Sequence, residues 1–328
     1  MKRIFDYEMI NPSIIDTLLI DRTTSKNIIW ATDDYVKINE ACSFNSPILA
    51  DMTTLIVPRV EKEKSFQTIR SKLKAEVFTP SWVCNKQINS IDDAWFGKHT
   101  NRFNKELSQT WESTYPRKNK KDLRDRIKFP KDKTWEDYVC SNRLEISCGE
   151  APYLTSRYDT VTGKYIKPKN RIGMLDRKLR VITENVSGKD EWIDWAKKAL
   201  CSTYGFDWQG DNVFLARQNM LLSVIEYCEE LFNVVPSEKD IQDFAEIISW
   251  NIWQMDGIKY VLPNSCHKAI ESKTQYTLDG SIESDAVSEC PGCKSGNKFH
   301  HNGVYSKIMD WEEKKTIRFV DIYGGGLL

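Results

Sequence analysis

The chain has no excess of either charge: its 328 residues carry 47 Lys and Arg against 47 Asp and Glu. A globally basic nucleic-acid binder is therefore excluded, and any grip on phosphates has to come from local patches. No run approaches the roughly 18 consecutive apolar residues that a membrane span requires, so no membrane partner is expected. The opening Met1-Lys2-Arg3-Ile4-Phe5-Asp6-Tyr7-Glu8 lacks the apolar core of a signal peptide. Cysteine pairing is also missing: nine cysteines are scattered along the chain, and only Cys290 and Cys293 look paired by spacing. Reduced thiols and a cytoplasmic location are the expectation. No nuclease constellation of acids and lysine stands out. What is present is a globular composition, 40% hydrophobic and 11% aromatic, long enough for one sizeable core and a smaller module.

The most informative stretch is Arg143-Leu144-Glu145-Ile146-Ser147-Cys148-Gly149-Glu150-Ala151-Pro152-Tyr153-Leu154. A short apolar lead meets an acid, then a small-residue turn, as when the first strand of an α/β sheet passes into a loop beneath a ligand. Gly149 and Ala151 keep side chains out of the way there. Upstream, Thr17–Asp21 and Asn27–Thr32 are two β-prone runs around a polar turn, which predicts a hairpin. Asn11-Pro12-Ser13-Ile14 is expected to be a turn before it. A charged helix is predicted over Glu61–Glu76. Pro80 pushes Thr79 out of the α region and suits the first turn of a new helix, with Thr79 as its N-cap beside a plausible anion seat.

Between Asn101 and Val139, basic residues such as Arg117, Lys118, Lys120 and Lys121 alternate with Trp111, Tyr115, Phe129 and Trp135. That mixture can hold a nucleic-acid backbone, although Asp122, Asp125 and Asp132 dilute it, and a solvated insertion is an equal reading. Periodicity predicts a helix over Glu191–Leu200, then a strand ending in Asp207, then a strong helix over Val213–Leu231. An acid in the place of Asp207 can accept hydrogen bonds from both ribose hydroxyls of a nucleotide, with Trp208 packing on the adenine. A further amphipathic segment, Lys239–Ser249, leads into a short strand ending near Asp256.

Taken in order, these landmarks resemble SAM-dependent, adenine-specific DNA methyltransferases, the methylase (M) subunits of restriction-modification systems. Phe78-Thr79-Pro80 resembles motif X and Leu144–Leu154 motif I, with Ile146 in place of the usual proline and Ala151 in place of glycine. Tyr204-Gly205-Phe206-Asp207, followed by Ala216-Arg217-Gln218-Asn219-Met220, resembles motif II. Trp250–Gly257 resembles motif III, with Met255 where glycine is usual. The resemblance implies an α/β fold, a truncated Rossmann-like methyltransferase core. It implies S-adenosylmethionine held by Thr79, Pro80, Glu145, Cys148, Gly149, Asp207, Trp208 and Asp256, with Asp256 on the adenine amine. DNA is the implied partner, in a restriction-modification or phage-defence setting.

Departures matter as much. Lys315–Tyr323 is expected to be the strand that leads into the family's Asn-Pro-Pro-Tyr loop, yet no Pro-Pro dipeptide occurs in the sequence. That loop accepts hydrogen bonds from the amine being methylated and stacks on the flipped base. Cofactor binding is therefore expected, and chemistry only with a specificity, catalytic or nuclease partner chain. The other reading is a non-catalytic SAM- or DNA-binding regulatory protein. Cys290-Pro291-Gly292-Cys293 has the spacing of a zinc half-site, for which Cys266 and His300 or His301 could complete the ligand set. The expected organisation is an N-terminal β-containing extension (1–60), the motif X helix with the basic insertion (61–143), the SAM-binding core (144–262), a small Cys/His insertion (263–310) and a last core strand (311–328).

Overall fold

The computed structural model describes residues 11–74, 76–97, 103–115, 126–277 and 280–323. The basic cluster from Arg117 to Lys121 lies outside the described residues. The chain begins with helix α1 (Pro12–Leu19), then the short strands β1 (Ile20–Asp21) and β2 (Lys26–Asn27). The N-terminal hairpin is thus much shorter than its sequence predicts. Asn11 caps the Ser13 amide, Pro12 opens the helix, and Ile14 and Leu18 fall on one buried face. Thr17–Leu19, β-prone on composition, is helical because that face packs against the core. Asn11-Pro12 is a helix start and not a free turn.

Helix α2 (Lys64–Leu73) and helix α3 (Ser81–Phe96) come next, then the hairpin β3 (Asn104–Glu106) and β4 (Trp111–Ser113). After α4 (Trp135–Cys140) come strand β5 (Arg143–Ile146), helices α5 (Met174–Asn185) and α6 (Lys189–Cys201), and strand β6 (Thr203–Asp207). Helix α7 (Gly210–Phe232), helix α8 (Glu238–Asn251) and strand β7 (Ile252–Gln254) complete the central part. β5, β6 and β7 form one parallel sheet in that order, with Ile146 opposite Phe206 and Asp207 opposite Gln254. The protein is therefore mixed α/β with a three-stranded parallel sheet.

Alternation along the strands divides the core. Ile252 points into a large cluster that runs from Ile14 through the helices, so the extension and residues 61–143 share one core with residues 144–252. Phe206 and Trp253 point the other way, into a smaller cluster with Met255, Ile308, Phe319 and Val320. Helix α7 is the axis of the large cluster, and every residue from Gly210 to Ile225 is buried. Its Arg217 donates to four backbone carbonyls, those of Leu18, Ile20, Ser249 and Ile252, at 2.6–2.9 Å. Burial pushes that guanidinium down to about 9, still protonated at neutral pH. One side chain thereby ties α1 to α7, α8 and β7.

The ribbon β8 (Ala269–Thr277) and β9 (Gly280–Ser288) is next, then a short helix α9 (Pro291–Ser295). Strands β10 (Lys307–Asp310) and β11 (Lys315–Arg318) pair antiparallel, and α10 (Phe319–Tyr323) is the last element. The expected last core strand is corrected here. Residues 315–318 belong to a separate hairpin, and the chain turns helical at Phe319, which lets consecutive Phe319 and Val320 both bury against Phe206 and Trp253.

Candidate functional site

A cleft of about 520 Å³ opens at the C-terminal ends of β5 and β6. Three separate stretches line most of it, joined by Ile91 and Met174: Lys74 with Glu76–Thr79, Leu144–Gly149 with Pro152 and Tyr153, and Asp207–Gln209 with Asn212. Its volume lies within the range of small-molecule sites, and such sites favour the carboxyl ends of parallel strands. Of the residues singled out from sequence, Thr79, Glu145, Cys148, Gly149, Asp207 and Trp208 meet here.

Two buried carboxylates define its floor. Asp207 accepts the Gly149 amide at 2.9 Å, the Gln209 amide at 2.9 Å and the Asn212 side-chain amide at 3.4 Å. Glu145 accepts the Leu154 amide at 3.1 Å and the Tyr153 amide at 3.4 Å. Burial raises both above the usual carboxylate range; the amides oppose this, and the Asp207 charge adds to the shift on Glu145. Neither carboxylate has a cation as hydrogen-bond or ion-pair partner among the described residues. The loop between them is wound tightly, with Ser147, Gly149 and Ala151 all at positive φ (50°, 53° and 62°). Ala151 therefore takes the left-handed conformation that glycine adopts without penalty.

A very different set of charges lies just behind. Asp211, in the first turn of α7, contacts Arg70 at 2.8 Å, Lys62 at 3.1 Å and the Tyr35 hydroxyl at 2.8 Å. Arg70 also holds Glu76 with two 2.8 Å hydrogen bonds. Burial works against the Asp211 charge, but Arg70 and Lys62 outweigh it and hold the carboxyl well below its usual range. Asn212 joins the two sets, donating to Glu76 at 3.1 Å as well as to Asp207. Lys74, Glu76, Gln209 and Asn212 are lining residues that were not singled out as ligand contacts; in sequence they look like ordinary helix-end polar residues.

Three sequence expectations are corrected. Thr79 is not the cap of α3: Pro80 occupies the N-cap, and the Ser81 amide donates to Asp159 at 2.8 Å. The anion seat is thus filled by the chain's own carboxylate, and Pro80 faces away from the cleft lining. Asp256 does not line the cleft either. Its Oδ1 accepts the Ile258 and Lys259 amides at 2.9 and 3.1 Å, closing a local turn.

The third correction concerns the metal ligands. The ligand atoms of Cys266, Cys290, Cys293 and His301 all lie within 4.8 Å of one another, a cluster that could hold a metal ion. His301 takes the fourth place, with Nδ1 at 3.5–3.7 Å from the three sulfurs, whereas His300 is exposed and outside the cluster. The surroundings fit four ligands. A Cβ on Gly292 would lie 2.5 Å from the His301 backbone nitrogen, and one on Gly303 would lie 3.1 Å from the Cys266 sulfur. The Asn302 amide donates to the Cys290 sulfur at 3.3 Å. Burial disfavours that thiolate, but the Asn302 and Cys293 amides, His301 and Cys266 outweigh it and bring Cys290 down to about 6. The His301 amide donates to the Tyr305 hydroxyl, which donates to the Lys298 carbonyl, so the ligand loop is fixed from behind.

Fold and site together define a mixed α/β protein with one cleft at the carboxyl edge of its parallel sheet and, among the described residues, one cysteine–histidine cluster apart from it. No helix among the described residues is long and apolar enough to cross a membrane. No family model, curated protein or solved structure matches the chain.

Proposed function

We propose that the cleft binds S-adenosylmethionine on a Rossmann-like core, and that the chain is the cofactor-holding part of an adenine-specific DNA methyltransferase of a restriction-modification or phage-defence system. The observation that carries this reading is convergence. Segments resembling motifs X, I and II, far apart in sequence, line one cleft whose floor is two carboxylates without cation partners. Asp207 and Glu145 each retain acceptor capacity beyond their amide partners, since a carboxylate offers about four lone-pair sites. Asp207 would accept from the ribose hydroxyls, Glu145 would face the amino group, and the half-exposed Trp208 would lie along the adenine. Lys74 is the one basic residue in the lining against Glu76, Glu145 and Asp207, a balance that favours a cationic sulfonium ligand. The cofactor supplies the methyl group; this chain's residues bind and orient it.

These 328 residues contain no Asn-Pro-Pro-Tyr loop to accept the target amine, and a partner chain that brings it is the proposed source of methyl transfer. Calorimetric titration with S-adenosylmethionine tests the first half. Binding is expected, and Asp207→Ala is expected to weaken it at least about a hundredfold, from the loss of two hydrogen bonds to a charged acceptor at about 1.5–3 kcal/mol each. A flat trace from folded wild-type protein would overturn the reading. Cofactor binding without methyl transfer in any assembly would leave the non-catalytic, regulatory reading in its place.

For the cluster we propose zinc. Three thiolates and an imidazole are a soft, four-coordinate set with no open position, which is the donor set of a structural site and not of a catalytic one. Elemental analysis of purified protein should return one zinc per chain, and Cys290→Ser should lower that occupancy while leaving cofactor titration unchanged.

A further inference from the structure

A second, larger groove of about 1290 Å³ lies on the far side of the Thr79–Trp82 turn. Thr79 lines the cofactor cleft and Pro80 lines this groove, so a single turn separates the two. Its volume exceeds the roughly 300–1,000 Å³ of small-molecule pockets, which points to an extended ligand. One part of the lining comes from the β3–β4 hairpin and its C-terminal flank, including Trp111 and Tyr115, with Trp82 from the start of α3. The other comes from the loop at residues 161–170, which presents Lys164, Lys167 and Lys169. All three lysines are exposed and none forms an ion pair among the described residues. The two acids in the lining are Glu112 and Asp159. Asp159 is already saturated, accepting the Ser81, Val161 and Thr162 amides and the Thr162 hydroxyl.

The aromatic side is held in place. The Trp111 indole N–H donates to the Asn170 carbonyl at 2.8 Å and the Ser113 hydroxyl to the Lys169 carbonyl at 2.7 Å, which docks the hairpin on the lysine loop. A groove with unpaired lysines on one stretch and fixed, half-exposed aromatic rings on the other has the chemistry that holds an unpaired nucleic-acid strand: phosphates along the cations, bases on the rings. A continuous duplex has no base faces to offer such rings. We propose that this groove binds a single-stranded stretch of nucleic acid and leads it past the mouth of the cofactor cleft. The proposal rests on the DNA reading of the cleft and adds where, and in which form, the strand is held.

The test uses the full chain and fluorescence anisotropy with 12-nucleotide DNA and RNA oligonucleotides, with a 12-base-pair duplex as the third arm. Wild-type protein should bind the single strands more tightly than the duplex. Lys164→Glu with Lys167→Glu and Lys169→Glu should weaken single-strand binding at least tenfold and flatten the log–log salt dependence by about 2, from roughly 0.7 per phosphate contact. Trp111→Ala should weaken it about tenfold with the salt slope unchanged. A control triple, Lys26→Glu, Lys37→Glu and Lys239→Glu, lies outside the lining and should do neither. Single-strand binding that all groove variants retain would sink the groove while leaving the DNA reading standing. Absence of any nucleic-acid binding by folded wild type would overturn both. Equal loss from the control triple would reduce the effect to net charge and overturn the site.

Discussion

Asp207 ends β6 and Asp211 lies in the first turn of α7, four residues on; both are buried, and their surroundings are opposite. Around Asp211 the extension supplies Tyr35 and the segment after it Lys62 and Arg70, and the carboxyl is held well below its usual range. Around Asp207 there are only amides, and burial lifts the carboxyl above its usual range. A buried charge whose partners are all protein groups is finished; its work is to join the extension to α7. A buried carboxylate with amides alone is poised for donors that come from outside the chain. The difference separates an acid saturated by cations of its own chain from one held by amides alone.

The largest test removes the architectural side. Arg70→Ala leaves Asp211 and Glu76 buried without their guanidinium and should cost about 3–5 kcal/mol in denaturant unfolding, the usual penalty for breaking a buried pair. Asp207→Asn should cost far less, because it removes a charge that burial already opposes. Equal destabilisation by the two variants would break the distinction.

Titration with acid sharpens it. The folded-state pKa of Asp211 is depressed, so its contribution is present above the unfolded value near ~3.9 and is lost as the pH falls toward the folded one. Asp207 and Glu145 are raised, so their ionised forms oppose folding, and that penalty vanishes as the pH falls through their folded values. The proposed S-adenosylmethionine binding, which needs ionised Asp207, should therefore be lost on acidification while circular dichroism still reports a folded chain. Coincidence of the two transitions would mean that the cleft and the network are one unit.

The smallest effect belongs to the loop. Ser147 is exposed at φ 50°, a conformation that costs a non-glycine residue about 1 kcal/mol. Ser147→Gly should raise stability by a few tenths of a kcal/mol after the entropy of glycine in the unfolded chain is counted. A loss of stability would show that the hydroxyl has a role in shaping the cleft.

The parts legible from sequence share a local cause. β6 and the helices α6, α7 and α8 are expected where they occur because apolar spacing and acids at strand ends are properties of neighbouring residues. β5 is legible for the same reason, down to Glu145 and Gly149. What escaped depends on distant partners. Helix α5 carries Arg177 and Lys178, to which sequence alone assigns nothing; Arg177 is buried on Asp92, Asn85 and Asn89, and Lys178 on the Ser141 and Ser202 carbonyls. Asp256 looks like a ligand acid but commits its oxygen to its own turn. His300 and His301 are chemically identical in sequence and differ only in which one the Gly292 gap admits.

The parallel sheet carries a consequence for handling the protein. Parallel sheets ordinarily have both faces covered, whereas β5 pairs on one side only among the described residues, and Leu144 and Ile146 are 44% and 69% exposed. An unpaired edge flanked by bare aliphatic side chains is a template for self-association. Concentrated stocks are expected to scatter light and to precipitate on storage, so a dilute regime is the right one for binding work. A Leu144→Lys variant that clears the turbidity would place the sticky surface on this edge.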